Sequence, residues 1–121
     1  RNEMPLEDIA YEKGKSYNNV EMIFTNLVDT DMLYGHRNDA KGYGKAIEEI
    51  DTYLGPIMDS MDEYDLLIVT ADHGCDPTVS GTDHTREKVP FLMYSKSLPS
   101  NGNLGEVEGF DTIASFIKDW I

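Results

Sequence analysis

The sequence predicts an α/β fold, a mostly parallel sheet flanked by helices, on three observations. Short apolar runs bounded by polar residues recur at 20–28, 65–71 and 89–94, where buried strands are expected. Between and after these runs, apolar residues repeat at the three-and-four spacing of amphipathic helices. The resulting order of strand, helix, strand, loop, strand, helix is the grammar of an α/β layer.

Residues 1–19 mix charges, Gly14 and a polar run, with only Leu6, Ile9, Ala10 and Tyr11 as a short helical face. They read as a lead-in segment or linker, and residues 20–121 as the folded unit. The first strand, 20–28, is rich in β-branched and apolar residues and ends in Asp29. From Tyr43 onward Ala46, Ile47, Ile50, Tyr53, Leu54, Ile57, Met58 and Met61 predict a helix, which Pro56 is expected to kink or divide. The run 65–71 (DLLIVTA) predicts a second, fully buried strand ending in Asp72 and His73. The third strand, 89–94, carries Pro90 among its first residues. After a turn rich in Gly, Ser and Asn at 95–105, Phe110, Ile113, Ala114, Phe116, Ile117 and Trp120 predict a closing helix. Asp111 lies in its first turn, where the helix dipole favours negative charge.

The chain of 121 residues is long enough for one domain or a piece of one. Its net charge of -13, from 23 acidic and 10 basic residues, repels phosphate backbones and anionic bilayers, so nucleic acid and membrane surfaces are excluded as expected partners. The apolar runs are too short to span a bilayer, and the first residues lack the apolar centre of a secretory signal. One cysteine, Cys75, gives no intrachain disulfide and fits a reducing cytoplasm. Arg rather than Met at position 1 is expected of a cut or incompletely represented chain.

All three histidines fall in short polar segments that also contain aspartate, each at or after a predicted strand end. The segments are 29–36 (DTDMLYGH), 71–74 (ADHG) and 81–85 (GTDHT). Imidazole with carboxylate suits zinc, manganese or iron, and ligands in open sheets gather beyond the carboxyl ends of strands. Gly35 and Gly74 permit tight turns beside His36 and His73. Adjacent Asp72 and His73 face one ion only from irregular backbone, because successive strand side chains point opposite ways. Any one such residue alone is more often a turn former or hydrogen-bonded loop residue. Three clusters together reverse that weighting. A calcium loop beginning at Asp29 is excluded, since Leu33, Tyr34 and Ala40 stand where oxygen ligand, glycine and glutamate are needed.

The segments 26–37 (NLVDTDMLYGHR), 70–74 (TADHG), 76–78 (DPT) and 81–87 (GTDHTRE) resemble, in order, the signature segments of the phosphopentomutase family within the alkaline-phosphatase superfamily. The likeness runs from about Phe24 to the closing helix. Cofactor-independent phosphoglycerate mutases typically place the histidine one residue closer to the aspartate than His36 stands to Asp31, which favours the pentomutase family. The resemblance implies a partial alkaline-phosphatase-like core, with 20–121 as the carboxyl-terminal half of a metal-binding catalytic core whose amino-terminal half and cap domain are absent. It implies interconversion of ribose and deoxyribose 1- and 5-phosphates through a phosphothreonine enzyme with two divalent cations, usually Mn2+. It further implies that Asp31, His36 and His84 bind one metal while Asp72 and His73 bind the other.

The early aspartate ligand and the phosphorylated threonine of that family have no counterpart in the matched segments, so a chain of this extent is expected to be inactive alone. Thr82 and Thr85 read as loop-orienting residues rather than nucleophiles. Cys75 stands where the family usually has Asn, and Thr30 where an aromatic residue is common. Arg37 and Arg86 either meet phosphate or neutralise neighbouring carboxylates. The rival readings are another phosphatase-superfamily enzyme, of the phosphoglycerate mutase kind, and a non-catalytic acidic cation-binding or interaction module.

Overall fold

The computed structural model describes residues 22–81, 86–99 and 102–120. The proposed lead-in segment 1–19, His84 and its neighbouring threonines therefore lie outside the described residues. Among those described, a π-helical turn (Thr30–Gly35) is followed by α1 (Ala40–Ser60), β1 (Leu67–Thr70), β2 (Phe91–Tyr94) and α2 (Asp111–Trp120).

The π-helical turn and α1 are joined by a tight connection. Asn38 takes a left-handed backbone with φ of 53°, a conformation asparagine tolerates better than most residues. Asp39 then caps α1, its carboxylate accepting from the Gly42 amide at 2.9 Å. The helix runs without interruption through Pro56, where the sequence predicts a kink or division. Pro56 and Thr52 both lie on the exposed face, so the Thr52 carbonyl left without its usual donor is on the solvent side. Ile57 in this helix and Met61 just beyond its end are the two buried apolar side chains among the described residues.

The turn from α1 into β1 is held by Asp65, whose carboxylate accepts from the Asp62 amide at 2.8 Å. β1 and β2 pair antiparallel, with Leu67 opposite Tyr94 and Thr70 opposite Phe91. The mostly parallel sheet predicted from the sequence is not seen in this described pair. Parallel pairing requires a crossover, usually a helix, that returns the chain to the starting end of the sheet. The described parts of 71–90 form no helix, and the chain re-enters β2 at the end where it left β1. The Thr70 hydroxyl closes that end by donating to the Pro90 carbonyl at 2.8 Å. β1 is half-buried rather than fully buried, and Pro90 precedes β2 rather than lying inside it.

Side-chain alternation assigns each face of the pair to a helix. Leu67, Val69, Leu92 and Tyr94 line an apolar groove with Leu54 and Met58 of α1. On the other face Phe91 meets Phe116 of α2, their rings 5.5 Å apart and tilted by 56°. The helices thus flank the strands as the sequence predicts. The Trp120 indole anchors the far end of α2 by donating to the Tyr64 carbonyl at 2.8 Å.

The strand predicted at 20–28 does not form over its described part. Residues 22–28 join no ladder, and Met22 and Phe24 are 66% and 72% exposed. A buried strand needs neighbours to accept its backbone donors, and none of the described segments lies alongside it in a ladder. Among the described residues, no helix is long and apolar enough to cross a membrane.

Gly44 lies inside α1 with open space where a Cβ would stand. Gly44→Ala is therefore expected to stabilise the fold by about 0.5–1 kcal/mol, the helix-propensity difference between the two residues. Urea unfolding followed by far-UV circular dichroism reads the change, and a lower midpoint would contradict it.

Candidate metal centre

Two segments bring the candidate ligands together. Asp31 and His36 lie at opposite ends of the π-helical turn, and Asp72 and His73 follow β1 directly. In an α-helix, side chains five residues apart diverge by roughly 140°. Here the His36 amide donates to the Asp31 carbonyl at 3.0 Å, an i to i−5 bond that stacks the two residues. The five-residue spacing seen in the sequence is thus absorbed by π-helical winding.

The Asp31 carboxylate sits between the imidazoles. Its Oδ2 is 3.2 Å from His36 Nε2, and its buried Oδ1 is 3.9 Å from His73 Nε2. Asp72 Oδ1 approaches the same His73 nitrogen at 3.5 Å, although the Asp72 side chain is 79% exposed. The bends at 72 and 73 turn these adjacent side chains to one side, as the sequence requires of irregular backbone.

His73 carries the test of whether a cation fits. Its Nδ1 lies 3.0 Å from the Gly74 carbonyl oxygen. A carbonyl only accepts, so Nδ1 donates, and in the neutral ring Nε2 bears the lone pair. That nitrogen lies 3.5 Å from Asp72 Oδ1 and 3.9 Å from Asp31 Oδ1, a grouping of one imidazole and two carboxylates that a divalent cation would suit. Carboxylate and imidazole are also a donor set that divalent transition metals accept. Among the described residues no three such groups form a closed ligand cluster, and His84 is outside them. The structure therefore links Asp31 to His36, Asp31 to His73 and Asp72 to His73 by pairwise approaches, and leaves the placement of His84 undescribed.

Residues that the sequence did not mark as functional share the site. Burial, and then the charges of Cys75 and Asp31, raise the Tyr43 hydroxyl above its ordinary pKa. Tyr43 had only marked the start of a helical pattern; its place one turn after the cap at Asp39 was the available signal. Burial first, then Asp31, Glu87 and Asp76, raise the Cys75 thiol, so the neutral form is favoured. Asp76 shapes the loop beyond: Thr78 donates to its Oδ1 from both its hydroxyl at 2.6 Å and its amide at 2.9 Å, which lowers the Asp76 pKa.

A family model for the Metalloenzyme superfamily matches residues 1–120. The chain belongs to the Metalloenzyme superfamily. Within that superfamily it is similar to proteins named phosphopentomutase. It is 57% identical to the one from Clostridium novyi (strain NT) over 98 residues, which is 81% of this chain and 25% of the relative. The phosphopentomutases of Syntrophotalea carbinolica and Carboxydothermus hydrogenoformans are 56% and 53% identical over the same length, with the same shares covered. The chain thus spans about a quarter of the length of the curated relatives it matches. Membership of a metalloenzyme superfamily implies use of divalent metal, in keeping with the donor set at Asp31 and the two imidazoles.

Proposed function

We propose that this chain supplies part of the two-metal centre of a phosphopentomutase, which interconverts the 1- and 5-phosphates of ribose and deoxyribose in the cytoplasm. The observation that carries this reading is the Asp31 carboxylate, with one oxygen towards His36 and the other towards His73. Asp31, His36 and His84 would hold one ion, Asp72 and His73 the other, and the ions would be Mn2+. When bound, such ions neutralise charge on a transferring phosphoryl group and align the oxygens that attack and leave. The residues of the chain hold and orient: the π-helical turn presents Asp31 and His36 together, and the Gly74 carbonyl fixes the His73 tautomer. The phosphorylated threonine, a further aspartate ligand and the groups that bind the pentose would come from the remaining core and cap domain. The remaining core would also extend the sheet towards the mostly parallel form, with 22–28 among its strands.

The five-residue spacing between Asp31 and His36 favours this reading over a phosphoglycerate mutase. Exclusion of the non-enzymatic alternative comes from experiment. The 121-residue chain should bind Mn2+, and His84→Ala should weaken that binding by about ten- to a hundredfold, as loss of a metal-supporting imidazole does. Binding should also disappear on acidification, because imidazole ligates as the neutral ring. Conversion of ribose 1-phosphate by the chain alone should be reduced or absent. Appreciable turnover would show that the threonine and the other parts are not needed, and unaltered Mn2+ binding by His84→Ala would remove His84 from the site.

A further inference from the structure

Gly35 and Cys75 mark the place where the two ligand-bearing segments meet. Gly35 precedes His36, and Cys75 stands two residues after His73. A Cβ built on Gly35 would lie 2.7 Å from Cys75 Sγ, 3.2 Å from the Thr30 carbonyl oxygen and 3.6 Å from Asp31 Oδ1. Non-bonded carbon atoms pack best at about 3.5–4.0 Å, and sulfur is larger, so the first of these approaches leaves no room for a methyl group.

The backbone does not account for the glycine. The described glycines with positive φ are Gly81, Gly105 and Gly109, so Gly35 has a conformation open to any L residue. Space therefore selects glycine here. The added methyl could not retreat towards Thr30, where it would press on a backbone carbonyl within the π-helical turn. Relief would come by driving Cys75 outward, and Cys75 is tied to His73 through Gly74 alone. The distance at stake is the 3.9 Å between His73 Nε2 and Asp31 Oδ1.

We propose that the close fit of Cys75 against Gly35 is the spacer that sets the separation of the two ligand segments. Side-chain volume at these two positions, rather than thiol chemistry, then governs cation affinity. Cys75 is a positioning residue in this account and not a ligand. The inference rests on the cation-binding reading above, but its packing half does not.

The test compares the full 121-residue chain with Gly35→Ala, Cys75→Ser and the double variant Gly35→Ala/Cys75→Gly, with His36→Ala as reference. Mn2+ binding is read from loss of the free-ion electron paramagnetic resonance signal, and folding from far-UV circular dichroism. Gly35→Ala should bind about tenfold more weakly, the scale of overpacking at a tight contact. The double variant should recover to within about threefold of wild type, because removing the Cys75 side chain clears the space that the added methyl needs. The near-isosteric Cys75→Ser should also stay within about threefold.

A Gly35→Ala chain that binds as wild type overturns the proposal. A folded double variant that stays weak does the same. Equal losses in Cys75→Ser and Gly35→Ala would instead make the sulfur a ligand and overturn the positioning role. The metal-free rate of Cys75 with an aromatic disulfide reagent gives an independent readout. It should rise about tenfold in Gly35→Ala as the sulfur is pushed outward, and an unchanged rate overturns the spacer. If wild type binds Mn2+ no better than His36→Ala, the cation reading fails, while the thiol rates still decide whether Gly35 and Cys75 pack as proposed. Should Gly35→Ala lose its helical signal, recovery of that signal in the double variant supports the size match, and persistent unfolding overturns it.

Discussion

Replacing Asp31 with asparagine is expected to weaken Mn2+ binding by more than about a hundredfold, beyond the loss usual for residues that merely support a ligand. The reason lies in how both carboxylate oxygens are used. Oδ2 faces His36 at 3.2 Å and Oδ1 faces His73 at 3.9 Å, so one side chain serves both ligand segments. An amide of the same shape keeps one oxygen, turns a donor towards the other imidazole and removes the negative charge. Asp72 is the informative contrast. It is exposed and, among the described residues, approaches His73, so Asp72→Asn should cost about tenfold, at the lower end of the range for supporting groups. Calorimetric titration with Mn2+ orders the two variants, and an Asp31→Asn chain that binds as well as wild type would remove the basis for the metal centre.

The candidate ligand positions stood out because their chemistry is local. Short runs pairing aspartate with histidine, placed where apolar runs end, mark a site without any knowledge of the path between them. The helices were legible for a similar reason, since Leu54, Ile57 and Met58 recur at helical spacing and do line the inner face of α1. Strand direction was not. The runs 65–71 and 89–94 read the same in either orientation, and only the return of the chain beside Thr70 makes the pair antiparallel. The run 20–28 shows the same limit, because apolar content marks a segment that suits a sheet without supplying the neighbours that complete one.

Winding was half legible. The five residues from Asp31 to His36 stood out as a spacing, but an i to i−5 hydrogen bond is a property of the folded backbone. Contacts through space left no trace in the pattern. Cys75 against Gly35 joins residues 40 positions apart; Gly35 stood out only for the turn beside His36 and Cys75 only for replacing an Asn, and nothing in the pattern linked the two.

Gly42→Ala is expected to destabilise the chain by about 2–3 kcal/mol, the sum of overpacking a tight contact and disturbing a helix cap. Gly42 lies in the first turn of α1, where alanine would ordinarily be the better helix former. Its missing side chain leaves room for the Tyr34 ring and the Asp39 carboxylate, and a methyl group would collide with both. The Asp39 carboxylate caps α1 through the Gly42 amide itself, while the Asp39 amide donates to the Tyr34 carbonyl at 3.0 Å. Movement of either group therefore loosens the joint between α1 and the π-helical turn, and with it the placement of Asp31 and His36. The expected result is a lower urea midpoint together with weaker Mn2+ binding. Gly44, two residues along the same helix with open space around it, provides the control of opposite sign. A Gly42→Ala chain as stable as Gly44→Ala would show that the Tyr34 ring does not hold the turn against the helix.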